Sequence, residues 1–155
     1  MRLFALFLAF TTAMPVLAQE ITPREGWVVI NTDKSHETLL SDLRAAVKAN
    51  KMGVVTQAGP TGVARNRGIE IPENRVVGVF NNDFAVKILA TSTAAMIEAP
   101  IRFYVTENPD KTATLSWKTP SFVFAPYMGE GGASLKELAR ALDERFAKIG
   151  QGAAH

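Results

Sequence analysis

The segment IRFYVTENPDKTATLSWK, residues 101–118, contains two runs in which apolar and polar residues alternate. Alternation with a period of two places the apolar residues of each run on one face of a strand. These apolar residues are Ile101, Phe103 and Val105, followed by Ala113, Leu115 and Trp117. Residues 108–111 (NPDK) have proline at the second turn position, where its restricted φ suits a type I bend. The segment therefore predicts an antiparallel hairpin with one apolar face.

The polar residues of the two runs lie in the opposite phase. They are Arg102, Tyr104, Thr106, Thr112, Thr114, Ser116 and Lys118. Solvation of an ordinary sheet face would account for such a pattern. Arginine and tyrosine are also enriched where proteins bind their partners. We therefore take Arg102, Tyr104 and Lys118 as candidate ligand- or partner-binding residues.

Residues 33–53 have the 3.6-residue periodicity of an amphipathic helix, with an apolar stripe of Leu39, Leu40, Leu43, Ala46 and Val47. Ser35 can accept a hydrogen bond from a free N–H group of the first turn. Gly53 is expected to end the helix in a left-handed conformation.

Residues 134–150 form a second such pattern, with Leu135, Leu138, Leu142, Phe146 and Ile149 on one face. Ser134 and Glu137 have the spacing of a capping box, and Gly150 is expected to end this helix. Residues 119–132 (TPSFVFAPYMGEGG) fit either an edge strand or a loop over the core. The overlapping glycine-rich stretch GEGGAS, residues 129–134, fits flexible entry to a helix better than an anion-binding loop.

Three more strands are expected at 26–32, 54–58 and 75–80, and a short helix at 83–90. An antiparallel sheet with one apolar face and two amphipathic helices bury their apolar surfaces by stacking. The predicted fold is therefore α+β, a two-layer sandwich with two main helices on one face of the sheet. We expect a single domain at 26–150, preceded by an irregular segment at 19–25 and followed by a frayed tail at 151–155.

The composition sets limits on the class of protein. The chain has 155 residues, 47% of them hydrophobic, a formal net charge of +2 and no cysteine. This is globular composition, and the dispersed charges do not indicate a nucleic-acid partner. Without cysteine, neither a disulfide nor lipid attachment to a thiol is possible.

Residues 1–18, MRLFALFLAFTTAMPVLA, have the pattern of a secretory signal peptide. One early cation, Arg2, precedes an apolar stretch that is too short for a stable membrane span. The final VLA offers small residues to a signal peptidase, so cleavage is expected after Ala18. The mature protein is expected to be periplasmic or secreted, with no membrane span.

Motifs for catalysis, metal binding or cofactor binding are weak. The two histidines are His36 and His155, and Asp33, His36 and Glu37 are more typical of a solvated helix start than of a zinc site. Four carboxylates, Glu70, Glu73, Glu98 and Glu107, flank predicted strands, but sequence alone cannot bring two of them together. We therefore assign no catalytic residue, no metal and no cofactor.

The pair Asn81–Asn82 interrupts the run VVGVFNNDFAVKIL, residues 76–89. Asparagine tolerates the left-handed conformation, so Asn81 is interpreted as a structural turn residue. Asn82 or Asp83 can cap the helix that follows. Asn82 is also included among the candidate ligand-binding residues, because it should lie at the mouth of the sheet.

An ordered set of turn and strand residues runs through the middle of the chain: Ala64, Gly68, Ile71 or Pro72, Phe80, Asn82, Pro100 and Glu107. This order resembles the pattern of the DUF 302 family, bacterial domains of unknown function, over about residues 57–118. The chain departs from that pattern at Asn81, where the family has glycine, and at Asp83, where it has proline. It also has QAGPTG where many members carry an acidic residue and a histidine.

The resemblance implies helices on one side of a curved antiparallel sheet, similar to the TATA-binding-protein-like class, and no known reaction. Our leading hypothesis is a non-catalytic periplasmic domain that binds a small molecule or a periplasmic protein. Two alternatives remain: a small hydrolase that uses carboxylates brought together by folding, and a structural homodimer formed through the sheet face.

Overall fold

The computed structural model describes residues 19–155, and the expected signal peptide at 1–18 lies outside the described residues. The strands are β1 (Trp27–Thr32), β2 (Gly53–Ala58), β3 (Asn74–Phe80), β4 (Ile101–Glu107) and β5 (Ala113–Lys118). The α-helices are α1 (His36–Ala49), α2 (Thr61–Asn66), α3 (Asn82–Thr91), α4 (Pro120–Phe124) and α5 (Met128–Ala154). Short 3₁₀ helices occupy Ala94–Glu98 and Ala125–Tyr127. None of the helices within 19–155 is long and apolar enough to cross a membrane.

The five strands form one antiparallel sheet in the order β1-β5-β4-β3-β2. The predicted hairpin is confirmed as β4 and β5, with Phe103 opposite Trp117 and Val105 opposite Leu115. In its turn the Lys111 N–H donates to the Asn108 carbonyl at 3.0 Å, and Lys111 has a φ of 72°. The turn thus ends on a residue in the left-handed region, which suits the twist of the strands.

The core lies between one face of the sheet and the helices α1 and α5. Phe103 on β4 is fully buried at its centre. Its ring lies 5.2 Å from Trp117 on β5 and stacks at 4.7 Å on Phe146 of α5, measured between ring centroids. The other sheet face, which we call the open face, has no helix packed on it among the elements described. The two-layer α+β architecture is therefore as predicted.

The end of α1 differs from the prediction. The helix begins as expected, since Ser35 Oγ accepts from the Thr38 N–H at 3.2 Å. It ends at Ala49, however, and Lys51 takes the left-handed conformation with a φ of 56°. The Asn50 side chain donates to the Ala46 carbonyl at 2.9 Å and closes the last turn. Gly53 is consequently the first residue of β2 and not the helix stop.

Residues 119–132 are mostly helical, and neither expectation for them was right. Thr119 accepts from the Phe122 N–H and caps α4. The helix α5 then begins at Met128, ahead of Ser134, and is interrupted at Gly132, where φ is 55° and ψ is −144°. Two helical segments therefore meet at this kink, and the longer one, which follows Gly132, starts close to the predicted start at Ser134. The fully buried Leu135 packs against Gly131.

The carboxyl end of α5 also corrects the prediction. Gly150 does not end the helix, and residues 151–154 continue it instead of forming a frayed tail. Gly150 is buried against the Trp117 ring, which occupies the space that a Cβ at this position would need. Ala153 is fully buried, and its carbonyl accepts from Lys34 Nζ at 2.8 Å. These contacts hold the last turn on the domain.

Candidate functional site

Strand register brings three candidate residues to one end of the open face. Trp27 on β1 lies opposite Lys118 on β5. Because Phe103 pairs with Trp117, the next positions outward on β4 and β5 are Arg102 and Lys118. Tyr104, two residues after Arg102 on β4, lies opposite Ser116. The alternation in the sequence thus predicted correctly that Arg102, Tyr104 and Lys118 share the face away from the helices.

These side chains border a concavity of about 320 Å³, which we call the sheet groove. Its lining consists of Trp27, Glu98, Ile101, Arg102, Tyr104, Trp117, Lys118 and Val123. Arg102 and Lys118 are exposed, whereas Trp27, Glu98, Tyr104 and Val123 are half-buried. A concavity with aromatic and apolar walls and a few polar groups is typical of a small-molecule site.

Two cations lie against the Trp27 ring, which forms an aromatic wall of the groove. The Cζ of Arg24 lies 5.1 Å from the centroid of the Trp27 ring, and the Nζ of Lys118 lies 5.7 Å from it. Such contacts attract a cation to the ring face. They hold Trp27 and Lys118 together without neutralising the positive charge.

The acid in the groove, Glu98, has a hydrogen-bond partner of its own. Tyr127 Oη donates to Glu98 Oε1 at 2.8 Å. This hydrogen bond raises the pKa of the Tyr127 hydroxyl above its usual value, since ionisation would place two negative charges side by side. Glu98 is the last residue of the 3₁₀ segment before β4, and its carboxylate forms the acidic side of the groove.

Away from its charged end, the open face is less solvated than the polar pattern suggested. Thr114 and Ser116 are buried. Thr114 Oγ1 lies 2.9 Å from Oδ1 of both Asn31 and Asn108, whereas the buried Ser116 hydroxyl has no hydrogen-bond partner. Solvent-exposed candidate side chains are therefore confined to the end of the face where Arg102 and Lys118 lie.

The asparagine pair does not contribute to the groove. Asn82 is exposed at the first turn of α3 and is not among the groove residues. Asn81 has an extended backbone, with a φ of −143°, so its interpretation as a left-handed turn residue is wrong. Its side chain caps α3 instead, accepting from the Phe84 N–H at 3.1 Å. Asn81 also borders a small apolar cavity of about 30 Å³.

The sequence interpretation missed five of the groove residues, among them Trp27 and Glu98. Trp27 has the same phase along β1 as the outward-facing Val29 and Asn31, so alternation could have placed it on the open face. No sequence signal could have placed Glu98 there, because its position depends on how the 3₁₀ segment packs beside the sheet.

A second polar cluster lies at the opposite end of the sheet, on the helix side. It contains His36 at the start of α1, Arg75 on β3, and the carboxylates of Glu73 and Glu107. The Glu73 N–H donates to Glu107 Oε2 at 3.2 Å, and the Glu107 N–H donates to the Glu73 carbonyl at 2.9 Å. Folding therefore brings together two of the four carboxylates that the sequence left scattered.

Two nitrogens of this cluster are buried without hydrogen-bond partners, His36 Nε2 and Arg75 Nε. Burial lowers the pKa of His36 below its usual value, and the positive charge of Arg75 acts in the same direction. The negative charges of Glu73 and Glu107 oppose that shift. Across residues 19–155, no three histidine or carboxylate side chains converge as a metal site would require.

Comparisons with known proteins agree with the fold. No curated protein matches the sequence. The crystal structure of the uncharacterized conserved protein DUF302 from Bacillus stearothermophilus is similar, with a TM-score of 0.73 and 16% sequence identity. The similarity covers 84% of this chain and 99% of that one. Residues 28–151 match the family described as domain of unknown function DUF302. Because this match includes most of the chain, from β1 to the last turns of α5, the protein belongs to the DUF302 family.

Proposed function

We propose that the protein is a non-catalytic binding domain that acts outside the cytoplasm and holds a small molecule in the sheet groove. The observation that supports this most strongly is the convergence of Trp27, Arg102, Tyr104 and Lys118 on one concavity. Cations, an aromatic wall and a tyrosine hydroxyl suit retention of a ligand by hydrogen bonds and stacking. The signal-like pattern at 1–18 supports the location.

The groove residues can be tested through what the protein retains. Protein purified without denaturation is analysed by native mass spectrometry, alongside the double variant Arg102→Ala/Tyr104→Ala. Exposed or half-exposed positions contribute little to folding, so each change should alter stability by no more than about 0.5 kcal/mol. We expect the wild type to carry a small molecule that the double variant has lost.

A matched control removes a cation and a large exposed side chain elsewhere. Val63→Ala/Arg67→Ala changes α2 and the residue after it, where both side chains are exposed and neither lines the groove. This control should keep the ligand. If the wild type and the groove variant carry the same molecules, the binding proposal is wrong. If the groove variant converts a dimer to a monomer in sedimentation, the sheet face is a homodimer interface.

A second candidate function is that of a small carboxylate-dependent hydrolase. The observation in its favour is that Glu73 and Glu107, at the other end of the sheet, lie close enough to the buried His36 to influence its pKa. A neutral imidazole next to carboxylates is suited to general acid–base chemistry. The groove and this cluster are separate, so their variants test the two functions independently.

The hydrolase is tested with chromogenic esters, phosphates and glycosides. Any activity that belongs to the cluster should fall by about 100-fold or more in His36→Gln and in Glu107→Gln, as general acid–base catalysis requires. Both variants should retain the groove ligand. Activity that is equal in wild type and variants comes from a contaminant, and would remove the hydrolase from consideration.

A further inference from the structure

Two cations lie on neighbouring strands and line the same end of the sheet groove. The β4–β5 register ends at the Phe103–Trp117 pair, and Arg102 and Lys118 are the next residues along the two strands. Like charges at neighbouring positions of two strands repel each other. Arg24, the third cation at this end of the sheet, lies against the same Trp27 ring as Lys118.

Nothing in the part of the chain that is described neutralises these three cations. Four other cations of the described residues have carboxylate partners within 4.0 Å, in the pairs Lys34–Asp42, Arg65–Glu73, Lys111–Glu107 and Arg140–Glu144. Arg24, Arg102 and Lys118 form no such pair. Glu98 lines the groove but accepts a hydrogen bond from Tyr127, and it leaves an excess of positive charge.

We propose that the ligand of the groove carries one oxyanion group, a phosphate or a carboxylate, held between Arg102 and Lys118. This inference rests on the groove being the ligand site. An oxyanion would relieve the repulsion between the two cations and accept charge-assisted hydrogen bonds from both. The rest of the ligand is uncharged and largely apolar or aromatic, because it would lie along Trp27 and Val123 and because Glu98 repels a second negative group.

The test is an NMR titration of the ¹⁵N-labelled protein with four small aromatic compounds. Phenyl phosphate and benzoate present the two oxyanions, benzyl alcohol is neutral, and benzylamine is cationic. We expect the two anions to shift amide signals of Trp27, Arg102 and Lys118, and the shifts to weaken in 0.5 M NaCl. The tighter of the two anions identifies the ligand as a phosphate or a carboxylate.

The double variant Arg102→Gln/Lys118→Gln removes two charges from the groove. It should bind the tighter of the two anions with an affinity lower by about tenfold or more, since two charge-assisted hydrogen bonds are lost. The control Arg67→Gln/Lys136→Gln removes the same charge from exposed positions outside the groove and should bind like the wild type. The groove variant should melt no lower than the wild type, so lost binding cannot be attributed to unfolding.

The outcomes separate the two proposals. If benzyl alcohol or benzylamine shifts the groove signals as strongly as the anions do, the oxyanion inference is overturned while the groove remains a binding site. If neither anion shifts these signals, the inference is likewise overturned, and the groove itself is judged by the retained-ligand experiment. Equal anion affinity in the groove variant and the control variant would place the anion elsewhere and also overturn it.

Discussion

At the scale of single residues, Asn81 connects two elements through one side chain. Its Oδ1 accepts from the Phe84 N–H at the start of α3, and its Nδ2 donates to the Lys51 carbonyl at 2.8 Å. Lys51 lies in the loop between α1 and β2 and has a left-handed backbone conformation. The side chain thus fixes the start of α3 against the loop before β2. This role depends on the amide group and not on tolerance of positive φ.

We therefore predict that Asn81→Ala lowers the free energy of unfolding by about 1–2 kcal/mol, the cost of a lost cap with a lost hydrogen bond. Urea denaturation followed by circular dichroism measures this. The neighbouring Asn82→Ala removes an exposed amide at the same helix start and should change stability by less than about 0.5 kcal/mol. Equal effects of the two variants would show that the cap at Asn81 is unimportant.

His36 should make stability depend on pH. Burial lowers its pKa in the folded protein below the ordinary value of about 6.5, while the unfolded chain keeps that value. As the pH falls below 6.5, the unfolded state therefore takes up a proton first, and stability decreases. This contribution is fully present above pH 6.5 and is lost progressively towards the folded pKa.

The measurement is urea denaturation at pH 7.5, 6.5 and 5.5. The wild type should lose stability between pH 6.5 and 5.5, and His36→Gln should lose less over the same interval. His155→Gln is the control, because it removes a histidine that is exposed at the end of the chain. The assignment to His36 fails if His36→Gln and the wild type have the same slope.

At the scale of elements, the close approach of α5 to the sheet depends on small residues near its end. Gly150 packs on the Trp117 ring, whereas Gly152 has only the Ala46 Cβ nearby, at 3.6 Å from where its own Cβ would lie. The two glycines lie in the same last turns of one helix. Comparing the same substitution at the two positions therefore distinguishes the effect of packing against the sheet from the effect of helix propensity.

Gly150→Ala should destabilise the protein by about 1–3 kcal/mol, because the new methyl group overlaps Trp117 and forces α5 from the sheet. Gly152→Ala should be neutral or stabilising by up to about 1 kcal/mol, since alanine is the better helix former. Thermal unfolding by calorimetry compares the two. A stabilising Gly150→Ala would mean that the α5–β5 contact is looser than described.

At the scale of the whole molecule, the sheet separates two clusters of polar side chains. The sheet groove lies at the end of the sheet where β4 begins and β5 ends, between open-face side chains and Val123 of α4. The His36 cluster lies on the helix side, where β4 ends. Variants in the two regions share no contacts, so their effects on stability should add. The same separation lets a ligand bind in the groove without displacing α1 or α5.

Export is the prediction that concerns the full chain. When the 155-residue protein is produced in a Gram-negative host, the periplasmic fraction should contain a chain that begins near Gln19, because residues 1–18 have a signal-peptide pattern. Intact-mass spectrometry of each cell fraction measures this. Replacing Ala18 with a bulky residue should block cleavage and leave the longer chain. Recovery of only cytosolic protein with residues 1–18 intact would refute export.

Local patterns were sufficient for much of this fold. The alternation in 101–118 predicted the β4–β5 hairpin and the face of Arg102, Tyr104 and Lys118, because side-chain direction in a strand depends on parity alone. The spacing of apolar residues predicted α1 and α5, since a helix face is set by neighbours three and four positions away. Ser35 was correctly predicted as a cap, because its partner lies within the same turn.

Contacts between distant parts of the chain decided the rest. Gly150 could not be distinguished from a helix stop without knowing that Trp117 packs on it, and Ala153 is held in the helix by Lys34 near the start of α1. The groove requires Trp27 of the first strand beside Lys118 of the last, together with Glu98 from a 3₁₀ segment. Such contacts depend on strand pairing and helix packing across the whole domain. The residues that flank each position in the sequence do not predict them.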